Sequence, residues 1–336
     1  MAPLPVGKLK MDYLADLLRH YATTEDPRVL VGPGIGEDAT VIDFGERLLV
    51  CKTDPITFAT EAIGWYAVHV NANDVAVMGA APRWFLASLL LPEGLTDEGL
   101  VEDIFAQIVA ACREVGASLC GGHTEITYGL DRPIVVGQML GEVEQERLVT
   151  SAGAQVGDAV LLTKGAGIEA TSIIAREMAD RLQEKFPPQF LCRCQDFLYD
   201  PGISVVRDAR IAVQTAHIHA MHDPTEGGVA TALWELARAA GVGLRIDYGA
   251  IPVPEETRLL CAEFGLDPLG VIGSGALLIT LAPADAKRVL AALGEAGIPA
   301  ACIGQVVPAE EGVLLQRDGQ TQPLPIFHQD EITRLF

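Results

Sequence analysis

The stretch "HDPTEGGVATALWELARAAG", residues 222–241, puts two acids, a Pro-Thr pair and two glycines directly before a strongly helical run. The preceding residues, 217–222, read as a short strand, so the chain passes from strand to helix through a glycine elbow. A helix N-terminus carries unsatisfied N–H groups and partial positive charge, and it favours a carboxylate or an anionic ligand. Asp223 and Glu226 have capping-box spacing, with Asp in the usual Ser/Thr place. The segment is read equally well as a helix cap or as part of a ligand site.

The same alternation of elements runs through the chain. Residues 8–22 place Met11, Leu14, Leu17, Leu18 and Tyr21 at helical spacing. Residues 28–55 read as strand, glycine loop, strand, turn and strand. A long helix over 61–79 ends at Gly79, a strand covers 82–92, and an amphipathic helix over 96–116 has Thr96 as its N-cap. Strands follow at 117–125, running into a loop, and at 132–143. The mostly polar run 144–158 places a domain boundary near 150, giving domains 1–150 and 151–336. The second half reads as strand 159–163, glycine loop 165–167, helix 168–185, an irregular insertion over 186–202 and a helix near 203–215. After the quoted stretch come strand 275–283, helix 283–296 and strands near 300–307 and 312–317. Ala-rich helices, abundant glycine and short Val/Ile/Leu runs make this an α/β or α+β protein. The loosely shared order of elements in the two halves suggests related domains.

Composition narrows the function. Forty-five acids against 24 bases give a net charge of −21, which argues against non-specific nucleic-acid binding. It leaves phosphate ligands open, because carboxylates can hold Mg²⁺ and the metal can bridge to phosphate oxygens. No apolar run approaches the roughly 20 residues of a membrane span. The opening "MAPLPVGKLK" has no apolar signal core, so a cytoplasmic protein without membrane contact is expected. The seven cysteines form no CxxC, and Cys192 and Cys194 have no second pair beside them. They are expected to be reduced, mostly buried thiols rather than a zinc site.

Four further polar segments resemble the quoted one in having acids or hydroxyls at a strand end, a glycine turn or one helix face. "GPGIGEDATVI" sets Glu37 and Asp38 after Gly36, and "CKTDP" ends a strand with Thr53 and Asp54. "HVNANDVAVMGA" places Asn71 and Asp74 three apart on one face of an otherwise apolar helix. Buried there, Asp74 needs a metal, a base or a cap. "CGGHTEIT" offers Gly121, Gly122, His123, Thr124 and Glu125. Each segment alone also has a purely structural reading as turn, cap or packed histidine. No P-loop, G-x-S-x-G or HExxH motif is present. "GAGIEA", 165–170, fits only the looser G-x-G-x-x-A form.

In order, "GEDATVI", "KTDP", "VNANDVAVMGA", "GGHTE" and "DPTEGGVATAL" resemble the aminoimidazole ribonucleotide synthetase (PurM) superfamily. "DPTEGGVATALWELA" and "GDAVLLTKGAGIEATSIIA" are most similar to its HypE-like, hydrogenase-maturation branch. The resemblance implies a two-domain PurM-like fold, with N-terminal domains pairing into a dimeric β-barrel and a C-terminal α/β domain. It also implies ATP and Mg²⁺ as cofactors, and activation or phosphorylation of an oxygen on a small-molecule or acyl substrate. Carried over by motif, Asp38, Asp54, Asp74 and Asp223 are the metal candidates. Gly36, Glu37, Thr53, Asn71, Gly121, Gly122, Glu125, Gly227 and Gly228 are the cofactor-binding ones, and Asp223, Glu226 and His123 the catalytic ones. A homodimer and a protein partner in a maturation complex are expected on the same ground.

The sequence departs from the branch in two places. HypE proteins end in a tail with a terminal Cys that carries a carbamoyl group, whereas this chain ends "HQDEITRLF" and its last cysteine is Cys302. The glycine-rich N-terminal segment is reduced to "PVGKLK", leaving Lys8 and Lys10. A non-catalytic nucleotide-binding maturation factor or sensor is the alternative reading. A thiamine-monophosphate kinase or selenophosphate synthetase is a third.

Overall fold

The computed structural model describes residues 11–21, 26–57 and 61–336; Lys8 and Lys10 lie outside the described residues. Helix α1 (Met11–Tyr21), residues 33–37 and residues 149–336 form one compact unit, here the C-terminal unit. Residues 26–32 and 38–148 form the other, the N-terminal unit.

The N-terminal unit is built on β1 (Val29–Val31), β2 (Thr40–Asp43), β3 (Leu48–Ile56), α2 (Ile63–Val77), β4 (Ala81–Pro92), α3 (Glu98–Val115), β5 (Ser118–Thr127) and β6 (Ile134–Val143). Its sheet has the order β1-β2-β3-β6-β4-β5. All neighbours are antiparallel except β4 and β5. Strand alternation sends Leu48 and Val50 of β3, Phe85, Ala87, Leu89 and Leu91 of β4, and Val135, Met139 and Val143 of β6 into the core. Helix α2 packs against β3, β6 and β4 and also against α3. It is therefore buried almost all round, which is why its sequence is mostly apolar, with His69, Asn71, Asn73 and Asp74 as buried polar exceptions. The cap of α3 is Asp97, not Thr96: Asp97 Oδ1 accepts the Leu100 N–H at 2.9 Å, while Thr96 Oγ1 donates back to the Pro92 carbonyl at 2.8 Å. Thr96 thus closes the turn that brings Asp97 to the helix start. The opposite face of the sheet is only half-buried and carries Leu86, Leu90, Ile134, Val136 and Leu140 together with the polar Ser88, Gln138 and Glu142. Strand β5 is an edge strand, largely exposed.

The C-terminal unit continues with β7 (Ala159–Thr163), α4 (Ile168–Glu177), α5 (Ala179–Leu182), α6 (Pro188–Asp196), α7 (Val206–Thr215), β8 (Ile218–His222), α8 (Gly228–Ala240), β9 (Gly243–Asp247), α9 (Glu255–Phe264), β10 (Leu278–Leu281), α10 (Pro283–Glu295), β11 (Ala300–Val307), β12 (Val313–Arg317) and β13 (Gln320–Pro323). Its sheet runs β13-β12-β9-β11-β7-β10-β8. Strands β7 and β10 are buried along their whole length, which explains why they are apolar apart from Thr163 and Thr280. Helix α8 seals one core with Leu233 and Leu236 against Val160, Leu162, Leu244 and Ile246. Helices α4, α6 and α9 enclose another around Ile174, Leu191 and Leu260.

Three expectations are corrected here. Residues 186–202 are not irregular: Pro188 starts α6, whose Phe190, Leu191 and Cys194 are buried. The expected helix 168–185 breaks at Met178 into α4 and α5. Strands β9 and β13 and helix α9 are additional elements. The seven cysteines are free, but only Cys112, Cys194 and Cys261 are buried, while Cys120, Cys192 and Cys302 are exposed. Among the described residues, no helix is long and apolar enough to cross a membrane.

Candidate functional site

In the N-terminal unit the charged residues meet where β3 passes α2. The period of two that buries Leu48 and Val50 also turns Lys52 and Asp54 toward the helix. Helix α2 answers with Asp74, 4% exposed, and with Asn71, fully buried. Lys52 Nζ lies 3.1 Å from Asp74 Oδ2 and 3.4 Å from Asp54 Oδ2. Desolvation alone would lower the Lys52 pKa. The nearby charges of Asp74, Asp54 and Asp38 outweigh it and hold the ammonium above its ordinary value. Three carboxylates against one ammonium leave two formal negative charges at this point of the unit.

Asn71 organises the cluster without adding charge. Its Oδ1 accepts the Asp54 N–H at 2.9 Å, and its Nδ2 donates to the Asp54 carbonyl at 3.3 Å and the Ala67 carbonyl at 2.9 Å. It grips the backbone of Asp54 and so fixes that carboxylate against α2. Gly137 on β6 leaves room for this, since a Cβ there would stand 2.4 Å from Asn71 Nδ2. Thr53 belongs to the other face of β3, and its hydroxyl donates to the Gly137 carbonyl at 2.8 Å. Sequence reasoning named the acids and Asn71 but not Lys52. The alternation of β3 was the available signal, because it puts Lys52 on the face of Asp54.

His123 and Glu125 stand apart from that cluster on β5, exposed and 3.2 Å from one another. Gly122 has φ +151 and a Cβ there would lie 2.0 Å from the Ala87 carbonyl oxygen. The parallel β4–β5 pairing shifts register nearby, between Phe85 and Leu86, and the glycine lets the strands close over that shift. A half-open cavity of about 320 Å³ borders Gly121, Gly122, His123 and Thr124, with Phe105 and Ile108 of α3 as its apolar wall.

The remaining predicted residues lie in the C-terminal unit. Asp223, 2% exposed, follows the end of β8, and Glu226 is half-buried. The residue before Asp223 is firmly held: His222 Nε2 is 3.0 Å from Glu235 Oε2 and Nδ1 is 3.5 Å from Ser151 Oγ. Gly36, with φ +80, approaches α8 so closely that a Cβ would be 2.8 Å from the Glu235 carbonyl oxygen, and Glu37 follows it.

The entrance to α8 is more occupied than its sequence suggests. The Gly227 N–H donates to Asp330 Oδ2 at 2.7 Å. The Gly228 N–H goes to the Thr225 carbonyl at 3.0 Å, and the Ala230 N–H to the Leu269 carbonyl at 3.0 Å. A Cβ on Gly228, at φ +62, would meet the carbonyl oxygens of Val271 and Leu269 at 2.5 and 2.6 Å. The close backbone approach allowed by this glycine is therefore to the chain's own loop at 269–271. Asp330 also accepts the Ile332 N–H at 2.9 Å. Burial, opposed by these N–H groups, pushes its carboxyl up to about 6. Glu169, at the start of α4, and Ser274 complete this neighbourhood; the lone G-x-G-x-x-A match was the only sequence signal near them.

Two mixed α/β units carrying buried, organised carboxylates define the class: a two-domain protein with acid-rich strand and helix ends rather than a P-loop or a thiol site. Residues 36–143 match the model of the AIR synthase related protein N-terminal domain, and residues 155–316 that of the C-terminal domain. The chain belongs to the AIR synthase-related protein family. It is 33% identical over 292 residues to the carbamoyl dehydratase HypE of Rhizobium leguminosarum bv. viciae, covering 84% of this chain and 79% of that one. With HypE of Cupriavidus necator it shares 33% over 286 residues, covering 82% and 77%. A crystal structure of the hydrogenase maturation protein HypE in complex with ATP superposes with a TM-score of 0.73 at 28% identity, covering 97% of both chains.

Proposed function

We propose that the protein is a Mg²⁺- and ATP-dependent enzyme of the HypE-like branch that phosphorylates or otherwise activates an oxygen of a small-molecule or acyl substrate. The observation that carries this reading is the convergence of Asp38, Asp54 and Asp74 on a single lysine, Lys52. Hard carboxylate oxygens with charge to spare are the donor set that suits Mg²⁺. Asp38, Asp54 and Asp74 would hold the ion, which when bound neutralises charge on phosphate oxygens. Asn71 keeps Asp54 in place by its backbone. Lys52 is the cation already resident among the acids, and it would be suited to pair with a phosphate oxygen. In the C-terminal unit, Asp223 and Glu226 are the acids proposed to act in the reaction, with His222 fixing the backbone before Asp223. His123 and Glu125, exposed on an edge strand, are proposed as nucleotide-side groups.

The half-buried side chains Leu86, Leu90, Ile134, Val136 and Leu140 on one face of the sheet support a homodimer in which a second copy covers them, as the barrel of the PurM-like fold requires. The hydrogenase-maturation names of the relatives support a protein partner of that kind. Calorimetric titration with ATP in the presence and absence of Mg²⁺ tests the enzyme reading. Sedimentation of the purified chain tests the dimer. ATP bound tightly with Mg²⁺ but never turned over would point instead to a nucleotide sensor.

A further inference from the structure

The end of strand β7 carries a buried polar network in the C-terminal unit. Thr163 is fully buried, and Asp208, on the first turn of α7, is 1% exposed. Thr163 Oγ1 lies 2.7 Å from Asp208 Oδ1, and the Leu277 N–H reaches the same Oγ1 at 3.1 Å. A carboxylate accepts and a backbone N–H donates, so both roles of the hydroxyl are fixed. Its one proton goes to Asp208, and its lone pair takes the Leu277 N–H. Lys164 Nζ stands 3.4 Å from Asp208 Oδ2 and donates to the Ser204 and Gly202 carbonyls, so the buried carboxylate has its counter-ion. A buried ion pair adds little net stability over apolar packing. Here its effect is directional, because it sets which way the Thr163 hydroxyl points.

That direction bears on the proposed site. The Thr163 N–H donates to the Leu277 carbonyl at 3.0 Å, so Thr163 holds both backbone groups of Leu277. The next residue, Leu278, opens β10 between Leu162 of β7 and His222 of β8, and Asp223 follows His222. Toward the other end of the loop, the Ala276 N–H donates to the Gly273 carbonyl at 3.2 Å, and the Gly273 N–H donates to the Thr225 carbonyl at 3.2 Å. Thr225 lies between Asp223 and Glu226. The 273–277 loop is thus tied to Thr163 at one end and to the acid-bearing segment at the other. In its middle, Gly275 sits so close to the Gly202 carbonyl oxygen that a Cβ would stand 2.8 Å away, and Lys164 bonds that same oxygen. We infer that Asp208 is a positioning residue: by holding the Thr163 hydroxyl proton it makes Oγ1 the acceptor for Leu277, which anchors the 273–277 loop and through it the Asp223–Glu226 segment.

The tie itself is read without any ligand, whereas its consequence for the reaction rests on the proposed ATP-dependent activity. Amide exchange is followed at single residues by NMR in the ligand-free protein at matched pH. Thr163→Val removes the hydroxyl at nearly constant shape and should speed exchange of the Leu277 and Gly273 amides about tenfold, with the amides of α9 as the unchanged reference. Thr163→Ser keeps the hydroxyl and should restore both. A Gly273 amide at its parent rate, or a rise shared equally by α9, would overturn the inference. Asp208→Ala leaves the hydroxyl in place but frees its proton, and it should speed the same two amides. Parent-like exchange of Leu277 in that variant removes the role of Asp208, even if Thr163→Val folds poorly. If the chain turns over ATP, Thr163→Val should lower kcat about tenfold with the KM for MgATP within about twofold, and Thr163→Ser should recover it. An unchanged kcat would show that the network does not position Asp223 and Glu226. Absence of ATP binding by the parent would remove the proposed activity, and the exchange results would still decide the network.

Discussion

Two buried carboxylates, one in each unit, are accommodated in opposite ways. Asp74 in the N-terminal unit stays beside an ammonium, with Lys52 at 3.1 Å. Glu169 in the C-terminal unit has two acidic neighbours and accepts from the Ser274 hydroxyl and N–H, and burial, outweighing those bonds, raises its pKa. A charge taken from water must be compensated or neutralised. Asp74 has a counter-ion, which a metal can supplement or replace. Glu169 is held toward its protonated form by burial, which depends on pH. The first arrangement suits an exchangeable cation, and the second suits a fixed hydrogen bond.

The largest effect that sharpens this contrast is with pH. Burial raises Glu169 from 4.5 to about 8 in the folded chain. The folded chain thus keeps a proton that the unfolded chain releases. The contribution of this group to stability is full below about pH 4.5, drains as pH rises to about 8 and is level above it. Glu169→Gln lacks that loss, so urea denaturation should show its stability gaining on the parent between pH 5 and pH 8. A constant difference over that range breaks the contrast.

Next in size is Lys52→Ala. It leaves Asp54 and Asp74 without their ammonium and should cost about 3 kcal/mol in urea unfolding. Millimolar Mg²⁺ should restore part of that loss if the acids can take a divalent ion in place of the lysine. A loss that Mg²⁺ leaves untouched would mean the acids form an ion pair and nothing more.

Smaller, and independent of charge, is Gly228→Ala. The new Cβ meets the Leu269 and Val271 carbonyls at 2.6 and 2.5 Å on a backbone with φ +62. A loss of about 2 kcal/mol in thermal or urea unfolding is expected. A neutral substitution would show that the entrance to α8 is looser than its packing on the 269–271 loop implies.

Much of this was legible in the sequence because it depends on local periodicity. The strand pattern of 28–55, the long apolar helix and the strand–glycine–helix run at 222–241 each follow from residues close together in the chain. Asn71 and Asp74 stood out for the same reason, as polar residues three apart in an apolar helix. Lys52 was hidden by its ordinariness: a lysine in a strand usually points to solvent, and only the parity of β3 turns it toward α2. The neighbourhood of Glu169 could not be read locally. Its members come from the start of α4, the loop at Ser274 and Asp330, and the Asp330–Gly227 bond alone spans 103 residues. The cap of α8 was obscured in the same way, because nearby acids offered a sufficient local explanation. The insertion at 186–202 looked irregular because prolines bracket it, although Pro188 sits in the first turn of α6, where a missing N–H costs nothing.

The proposed function rests on the carboxylates around Lys52, and the most direct test is calorimetric titration of the parent and Asp74→Asn with ATP, each with and without Mg²⁺. The account predicts tight binding by the parent only when Mg²⁺ is present and at least about tenfold weaker binding by Asp74→Asn, equivalent to about 1.4 kcal/mol. Equal MgATP binding by the two proteins, or parent binding that ignores Mg²⁺, would contradict it.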